Sequence, residues 1–226
     1  EVSPEPLPAT GAVTGIDMGV THFLTTSAGA QVENPRHGRR NAEALADAQR
    51  ALKAFPRRER EYRTAAHRRA VDKVAKLHRK VRRQRTDHAH KAALALVRDY
   101  DQIGHERLSI AHMVRAPKPK PDPEQPGAFL PNGAAAKAGL NRSILDAGWG
   151  VFLGILAHKA ESAGRVLILV DPRNTSCTCP ECGHVDSENR DGEKFQCTAC
   201  GHNDHADRVG AWNAALRAGL VLPDVA

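Results

Sequence analysis

The chain has 226 residues, 41% of them hydrophobic and 26% charged, with a formal net charge of +7. That length and composition suit one sizeable globular domain with a small satellite, and exclude a disordered or collagen-like chain. The apolar runs are strand-sized, far short of the roughly 20 residues that span a bilayer, and the Glu1–Pro8 start has neither the basic nor the apolar stretch of a secretory signal.

In chain order, residues 1–11 are rich in proline and read as a linker in a longer protein. Three short strands are expected between Ala12 and Asn34, marked by Val13, Ile16, Met18 and Val20, then by Thr21–Thr26, with a turn at Ser27–Gly29. Residues 41–55 are predicted helical, with Leu45, Ala48 and Leu52 on one stripe, and Pro56 ends the helix. A second helix is predicted from about Arg57 to Tyr100, with Val74, Leu77 and Val81 on its apolar line. Together they form a basic helical hairpin over residues 36–100, whose histidines are expected to be solvated. A strand at Gln102–Ile110 follows, and a Pro-rich linker or lid is placed at 114–140. Ser143 is expected to cap a helix carrying Leu145, Trp149, Phe152, Leu153, Leu156 and Ala160, which Gly164 ends. Val166–Val170 is an unbroken aliphatic strand of the kind buried on both faces. The last helix runs from about Asp207 to Ala218.

Charge is concentrated rather than spread. Of the 33 Lys and Arg, 20 fall between Arg36 and Arg98, while the rest of the chain is net acidic. Such a localised field is the footprint of a surface that meets polyphosphate. Arg79, Lys80, Arg82 and Arg83 are the candidate phosphate contacts on the hairpin. A solvated helical surface is the alternative.

All five cysteines lie between Cys177 and Cys200. Clustering in one corner argues against a dispersed disulfide framework and for a metal site in a reducing cytoplasm. Cys179-x-x-Cys182-Gly and Cys197-x-x-Cys200-Gly are two knuckles whose four thiolates suit one tetrahedral, structural Zn²⁺. Cys177 is spare, and His184, His202 and His205 are expected at the surface or facing nucleic acid rather than on the metal.

Three acids stand where apolar neighbours make a carboxylate costly. Asp17 interrupts the first strand between Gly15 and Gly19, Glu106 ends the fourth strand, and Asp207 opens the last helix above Ala211, Ala214, Ala215 and Ala218. Taken singly, each also reads as an ordinary hydrogen-bonded or solvated acid. The element order is α/β with a mixed sheet, and it matches the ribonuclease-H-like order with one insertion after the last strand. In that fold the three acids converge and hold divalent ions such as Mg²⁺.

Several ordered segments resemble the C-terminal half of the TnpB (OrfB) family of insertion-sequence proteins, RNA-guided DNA endonucleases related to compact type V CRISPR effectors. These are Gly15–Gly19, Glu33–His37, Lys76–Val81, Glu106 with Leu108, Asp146–Gly150, Val170–Ser176, both knuckles, and Asp207 with Asn213. The resemblance implies a RuvC-like nuclease domain over 12–173, an inserted zinc ribbon over 174–203, and a returning helix and tail over 204–226. It implies Asp17, Glu106 and Asp207 as catalytic ligands of Mg²⁺ or Mn²⁺, with Asp207 preferred to its neighbour Asp204, and Arg173 as a phosphate contact. It also implies guide RNA and target DNA as partners, a prokaryotic cytoplasmic location, and an N-terminal recognition and wedge region outside this sequence. The rival readings are a catalytically silent nucleic-acid-binding regulator on the same scaffold, a transposase performing strand transfer, and a bare zinc-ribbon binding module. The last leaves Asp17 and Glu106 unexplained.

Overall fold

The computed structural model describes residues 6–57 and 59–222; residues 1–5 of the expected linker lie outside them. The first three strands form as anticipated: β1 (Val13–Met18), β2 (His22–Thr26) and β3 (Gln31–Glu33) pair antiparallel in succession. β4 (Gln102–Glu106) lies parallel to β1, and β7 (Val166–Val170) lies parallel to β4. The central sheet is thus mixed and five-stranded, in the order β3-β2-β1-β4-β7.

Two helical layers cover the sheet. On one side the buried core joins Ile16, Phe23 and Ile103 to two helices, α3 (Ala65–Asp99) and α6 (Trp149–Ser162). These helices contribute Ala93, Leu96, Val97, Phe152 and Leu156. Phe23 meets Phe152 edge-on at 4.9 Å. On the other side α7 (Ala206–Arg217) lies against β1, β4 and β2. The approach is close because glycine faces it. A Cβ on Gly15 would fall 1.9 Å from the carbonyl oxygen of Ala211, and one on Gly104 would fall 2.8 Å from that of Ala214. The small side chains of α7 complete the fit, with Ala211, Ala214 and Ala215 fully buried.

The helical hairpin forms, with altered limits. α1 (His37–Arg40) is a single turn before α2 (Ala42–Lys53), which buries Ala48. The second helix does not begin at Arg57. A short 3-10 turn at Arg60–Tyr62 intervenes, and Thr64 caps α3 by accepting from His67 N–H. α3 then runs 35 residues, about 52 Å at 1.5 Å per residue. Its histidines are not all solvated. His67 is buried and stacked on Phe55 at 5.0 Å. His88 packs edge-on against Phe23 at 4.8 Å, and its Nε2 is buried without a hydrogen-bond partner among the described residues.

Four other expectations need correction. Ala134–Leu140, placed in the Pro-rich linker at 114–140, already belongs to helix α5 (Ala134–Ala147). The expected strand Gln102–Ile110 stops at Glu106, the single turn α4 (Ile110–Met113) follows it, and the Pro-rich stretch itself holds a two-residue ladder of β5 (Lys120–Pro121) with β6 (Phe129–Leu130). Ser143 does not cap a helix start. It sits inside α5 and donates to Gly139 O, and Gly148 in the left-handed conformation (φ 76°) separates α5 from α6. Leu145 therefore points outward, 56% exposed, while Trp149, Phe152 and Leu156 are buried. Finally, β7 is an edge strand rather than one buried on both faces: Val166 and Leu169 are about half exposed. An edge strand next to only one neighbour keeps one flank free, and hydrophobic sequence alone does not reveal that.

Gly164 ends α6 in the left-handed region, as its position implies. The described part of the expected linker, residues 6–11, has no regular structure but is held in place. Arg165, buried, pairs with Asp101 at 2.8 Å and donates to Val97 O and Pro8 O, while Asp101 accepts from Thr10 and Gly11 N–H. Among the described residues no helix is long and apolar enough to cross a membrane.

Candidate functional site

The register of β1 against β4 builds the acidic site. Gly15 lies beside Gly104 and Ile16 beside His105, so the next pair in register is Asp17 and Glu106. Side chains two apart on a strand share a face. Asp17 therefore faces the same way as Gly15, and Glu106 the same way as Gly104: toward α7. The glycines let the helix approach, and the acids follow at the strand ends.

α7 brings the third acid. Asp207 is in its first turn, 9% exposed, where the positive end of the helix favours a carboxylate. His205 precedes the helix and caps it, its Nδ1 accepting from Asp207 N–H at 3.2 Å. That residue was expected at the surface or facing nucleic acid; it is half-buried and caps the helix. Gly210, one turn on, places Asp17 Oδ2 3.1 Å from where its Cβ would stand, and a Cβ on Gly19 would lie 3.7 Å from Asp207 Oδ2.

Asp17 senses the other two carboxylates. Burial pushes the Asp17 carboxyl up to about 8, and the charges of Glu106 and Asp207 push it the same way. Glu106 is also raised by burial, against the opposing hydrogen bond from Thr175. The acids are not collapsed around a single point. Among the described residues, the four cysteines are the one group of three or more ligand side chains whose donor atoms all lie within 4.8 Å of one another.

One residue of this site had no signal in the sequence. Arg190, in β8 (Arg190–Asp191), reaches Asp207 Oδ1 at 3.7 Å, and its charge draws both Asp17 and Glu106 toward ionisation. It lies between the knuckles in a run of charged and polar residues, which reads as a solvated turn. Only the folded ribbon carries it to the acids.

The ribbon consists of β8, β9 (Lys194–Gln196) and β10 (Asn203–His205), paired antiparallel, together with the two knuckles. The knuckles repeat one geometry. Cys179 N–H donates to His184 O and Cys197 N–H to His202 O, both at 2.8 Å. Gly183 (φ 74°) and Gly201 (φ 78°) then turn back to the carbonyls of Cys179 and Cys197 at 3.0 Å. Cys179 Sγ is 3.6 Å from Cys200 Sγ, and Cys182 Sγ is 3.6 Å from Cys197 Sγ. A tetrahedron with metal–sulfur bonds of about 2.3 Å has edges of about 3.8 Å, so the four sulfurs are already spaced to hold a metal ion. The backbone N–H of Cys200 and Ala199 hold the Cys197 thiol down, to about 6, which favours the thiolate a metal needs. Asn189, fully buried, ties the knuckles together by donating to Cys177 O and accepting from Thr198 N–H. Cys177 stands outside the group. His184 is exposed, while His202, expected at the surface or facing nucleic acid, packs beside Phe195 with its Nε2 buried.

The remaining candidates are placed as follows. Arg79, Lys80, Arg82 and Arg83 are all exposed on α3. Arg85, on the same helix, is committed instead to Asp146 at 2.6 Å, and Asp146 also accepts from Gly38 and Arg39 N–H. The Asp146–Gly150 segment thus supports the packing of α5 on α1 and α3. Arg173 is exposed on the loop after β7, its backbone N–H bonded to Asp171 Oδ1. Asp204, in β10, pairs with Arg208 at 3.1 Å rather than joining the acids.

Residues 1–116 match the OrfB family of IS605-type elements, described as "Probable transposase", and residues 149–214 match the "Cas12f1-like, TNB domain". The chain is 32% identical over 209 residues to the "Putative RNA-guided DNA endonuclease InsQ" of Escherichia coli K12, covering 92% of this chain and 49% of that protein. It is 32% identical over 181 residues to the "Putative RNA-guided DNA endonuclease" of Streptomyces pristinaespiralis, covering 80% of this chain and 39% of that protein. The chain spans about half the length, or less, of these curated relatives. In fold it is similar to Cas12f1 in a complex with sgRNA and target DNA, with a TM-score of 0.58 and 17% identity over 93% of this chain and 51% of that one. With a family match that covers half of its residues, the chain belongs to the OrfB (TnpB) family of IS605-type elements.

Proposed function

We propose that this chain carries the nuclease centre of an RNA-guided DNA endonuclease, a RuvC-like domain that hydrolyses phosphodiester bonds. The observation that carries this reading is the meeting of Asp17, Glu106 and Asp207 from three separate elements, where burial together with the charges of the other two raises the Asp17 carboxyl to about 8. Three acids from separate elements, one of them kept near neutral chiefly by burial and further by the other two, form a site whose unbalanced negative charge calls for cations.

The donor set fits hard divalent ions such as Mg²⁺ or Mn²⁺, which take oxygen ligands. Asp17, Glu106 and Asp207 would hold them, and when bound they supply an activated water and charge neutralisation at the leaving oxygen. The chain's own residues do the rest. Positive charge arriving at the site would favour the ionised form of Asp17, so cation binding and the charge of the site are coupled. Asp207 is held by the start of α7 and Glu106 by Thr175. Arg190 offers a guanidinium above the acids, suited to a phosphate oxygen of the scissile group. Water attacks phosphorus in line; the P–O3′ bond breaks, leaving a 3′-hydroxyl and a 5′-phosphate.

The four cysteines would hold a structural Zn²⁺, since a closed tetrahedral sulfur set leaves no open position for catalysis. Guide RNA and target DNA are the proposed partners. The exposed cations of α3 would contact the phosphate backbone without reading bases, which suits a system in which pairing to the guide reads sequence. A cytoplasmic site of action, where thiols stay reduced, belongs to the same reading.

The test is nuclease activity with Mg²⁺ on labelled DNA, comparing the wild type with Asp17→Ala. Loss of cleavage with zinc content retained is the expected result. Undiminished cleavage in the variant would remove the acids from catalysis, and joined donor–target products would favour strand transfer over hydrolysis.

A further inference from the structure

α7 holds more than Asp207. Asn213, 3% exposed, donates through Nδ2 to Thr175 O and Thr178 O, both at 2.8 Å. One turn on, Arg217 Nη1 donates to Asp171 O at 2.9 Å and Arg173 O at 2.6 Å. Two side chains of one helix thus bind four carbonyls of the segment 171–178, which leads from β7 into the first knuckle. At the centre of that segment Thr175 is 2% exposed. Its Oγ1 touches Glu106 Oε1 and lies 2.9 Å from Pro172 O.

A hydroxyl has one proton to give. Pro172 O alone would satisfy it, so folding does not require the contact with Glu106. The same hydroxyl nevertheless stands within donating reach of Glu106 Oε1, where the contact fixes the direction in which the carboxyl points. The contact engages Oε1 and leaves Oε2 without this partner.

We infer that Thr175 is a positioning residue for Glu106, strapped in turn to α7 by Asn213, so that the distance between the β4 acid and the α7 acid is set through this segment. The inference rests on the reading of Glu106 as a metal ligand. The strap also runs directly into Cys179, so the segment that orients Glu106 is anchored at its far end by the metal-binding ribbon. Groups that orient metal ligands from behind typically change metal affinity about 10–100-fold when removed.

The test measures Mn²⁺ binding by electron paramagnetic resonance in the full chain with its zinc retained. It compares the wild type with Thr175→Val, which keeps the shape and loses the hydroxyl, Thr175→Ser, which restores the hydroxyl, and Asp17→Ala. Thr175→Val is expected to weaken Mn²⁺ binding about tenfold, with zinc content and thermal midpoint unchanged, and Thr175→Ser is expected to bind like the wild type. Equal affinity in Val and wild type, or equal loss in Val and Ser, overturns the inference. If Asp17→Ala abolishes binding while Thr175→Val does not weaken it, the inference alone fails. If Asp17→Ala leaves binding intact, the reading of the acids as metal ligands fails with it.

Discussion

Replacing Asp17 with Asn gives the sharpest test of the acidic site, because it should stabilise the protein. In the fold the Asp17 carboxyl titrates at about 8, against an ordinary value of 3.8. The folded state therefore keeps a proton that the unfolded chain releases above 3.8. The contribution is neutral below that pH, and stability is lost as pH rises from 3.8 to about 8. At pH 7 the gap is about three pH units, and each unit corresponds to about 1.4 kcal/mol, giving an upper bound of about 4 kcal/mol. Relaxation and water entry reduce this to about 2 kcal/mol, since buried charges in proteins experience a higher effective dielectric than a dry interior. Asn imitates the neutral acid, so Asp17→Asn should melt about 4–8 °C above the wild type at pH 7, at about 2–4 °C per kcal/mol for a domain of this size. The difference should vanish near pH 4. The assay is thermal unfolding across pH in magnesium-free buffer with zinc retained. Adding Mg²⁺ should raise the wild-type midpoint more than the variant's, because the variant keeps the carboxylates of Glu106 and Asp207 but has lost the third one. Identical melting of the two proteins at pH 7 without Mg²⁺ would refute the picture of a buried, mutually repelling set of acids.

Two further outcomes are expected. Purified protein should contain about one zinc per chain, and removing it, or replacing Cys197 with Ser, should unfold the ribbon and expose the amides of Cys179 and Cys197 to hydrogen exchange, because metal binding and folding of such knuckles are one event; a protected ribbon without metal would contradict this. Affinity for duplex should fall steeply with salt, and replacing Arg79, Lys80, Arg82 and Arg83 together by Ala should reduce the log–log slope by about 3–4, since each phosphate that is no longer neutralised takes close to one from it. An unchanged slope would take those side chains off the nucleic acid.

Much of the architecture was legible because it is written in local patterns. Period-2 runs marked the first three strands, Pro56 and Gly164 punctuated the helices, and the two Cys-x-x-Cys-Gly knuckles fix their own turns. The spacing of small residues in α7 showed which face could lie close to a sheet, and its buried Ala211, Ala214 and Ala215 do so. Elsewhere the deciding force was not local. Val166–Val170 is aliphatic enough for a central strand, yet the strand order leaves it at the edge. Ser143 and Asp146 look like a capping pair, but Gly148 and the docking of Asp146 on Arg85 and α1 moved the helix boundary to their far side.

The amino-acid order by itself determined the chemistry on offer: which acids interrupt apolar strands, which sulfurs come in pairs, and where positive charge gathers. Tertiary structure decided which of these groups meet. The parallel register of β1 and β4 sets Asp17 beside Glu106, the glycine-lined approach of α7 delivers Asp207, and the ribbon delivers Arg190. Those relations depend on packing between segments as much as 190 residues apart (Asp17 to Asp207), and no local pattern encodes a distance across the fold.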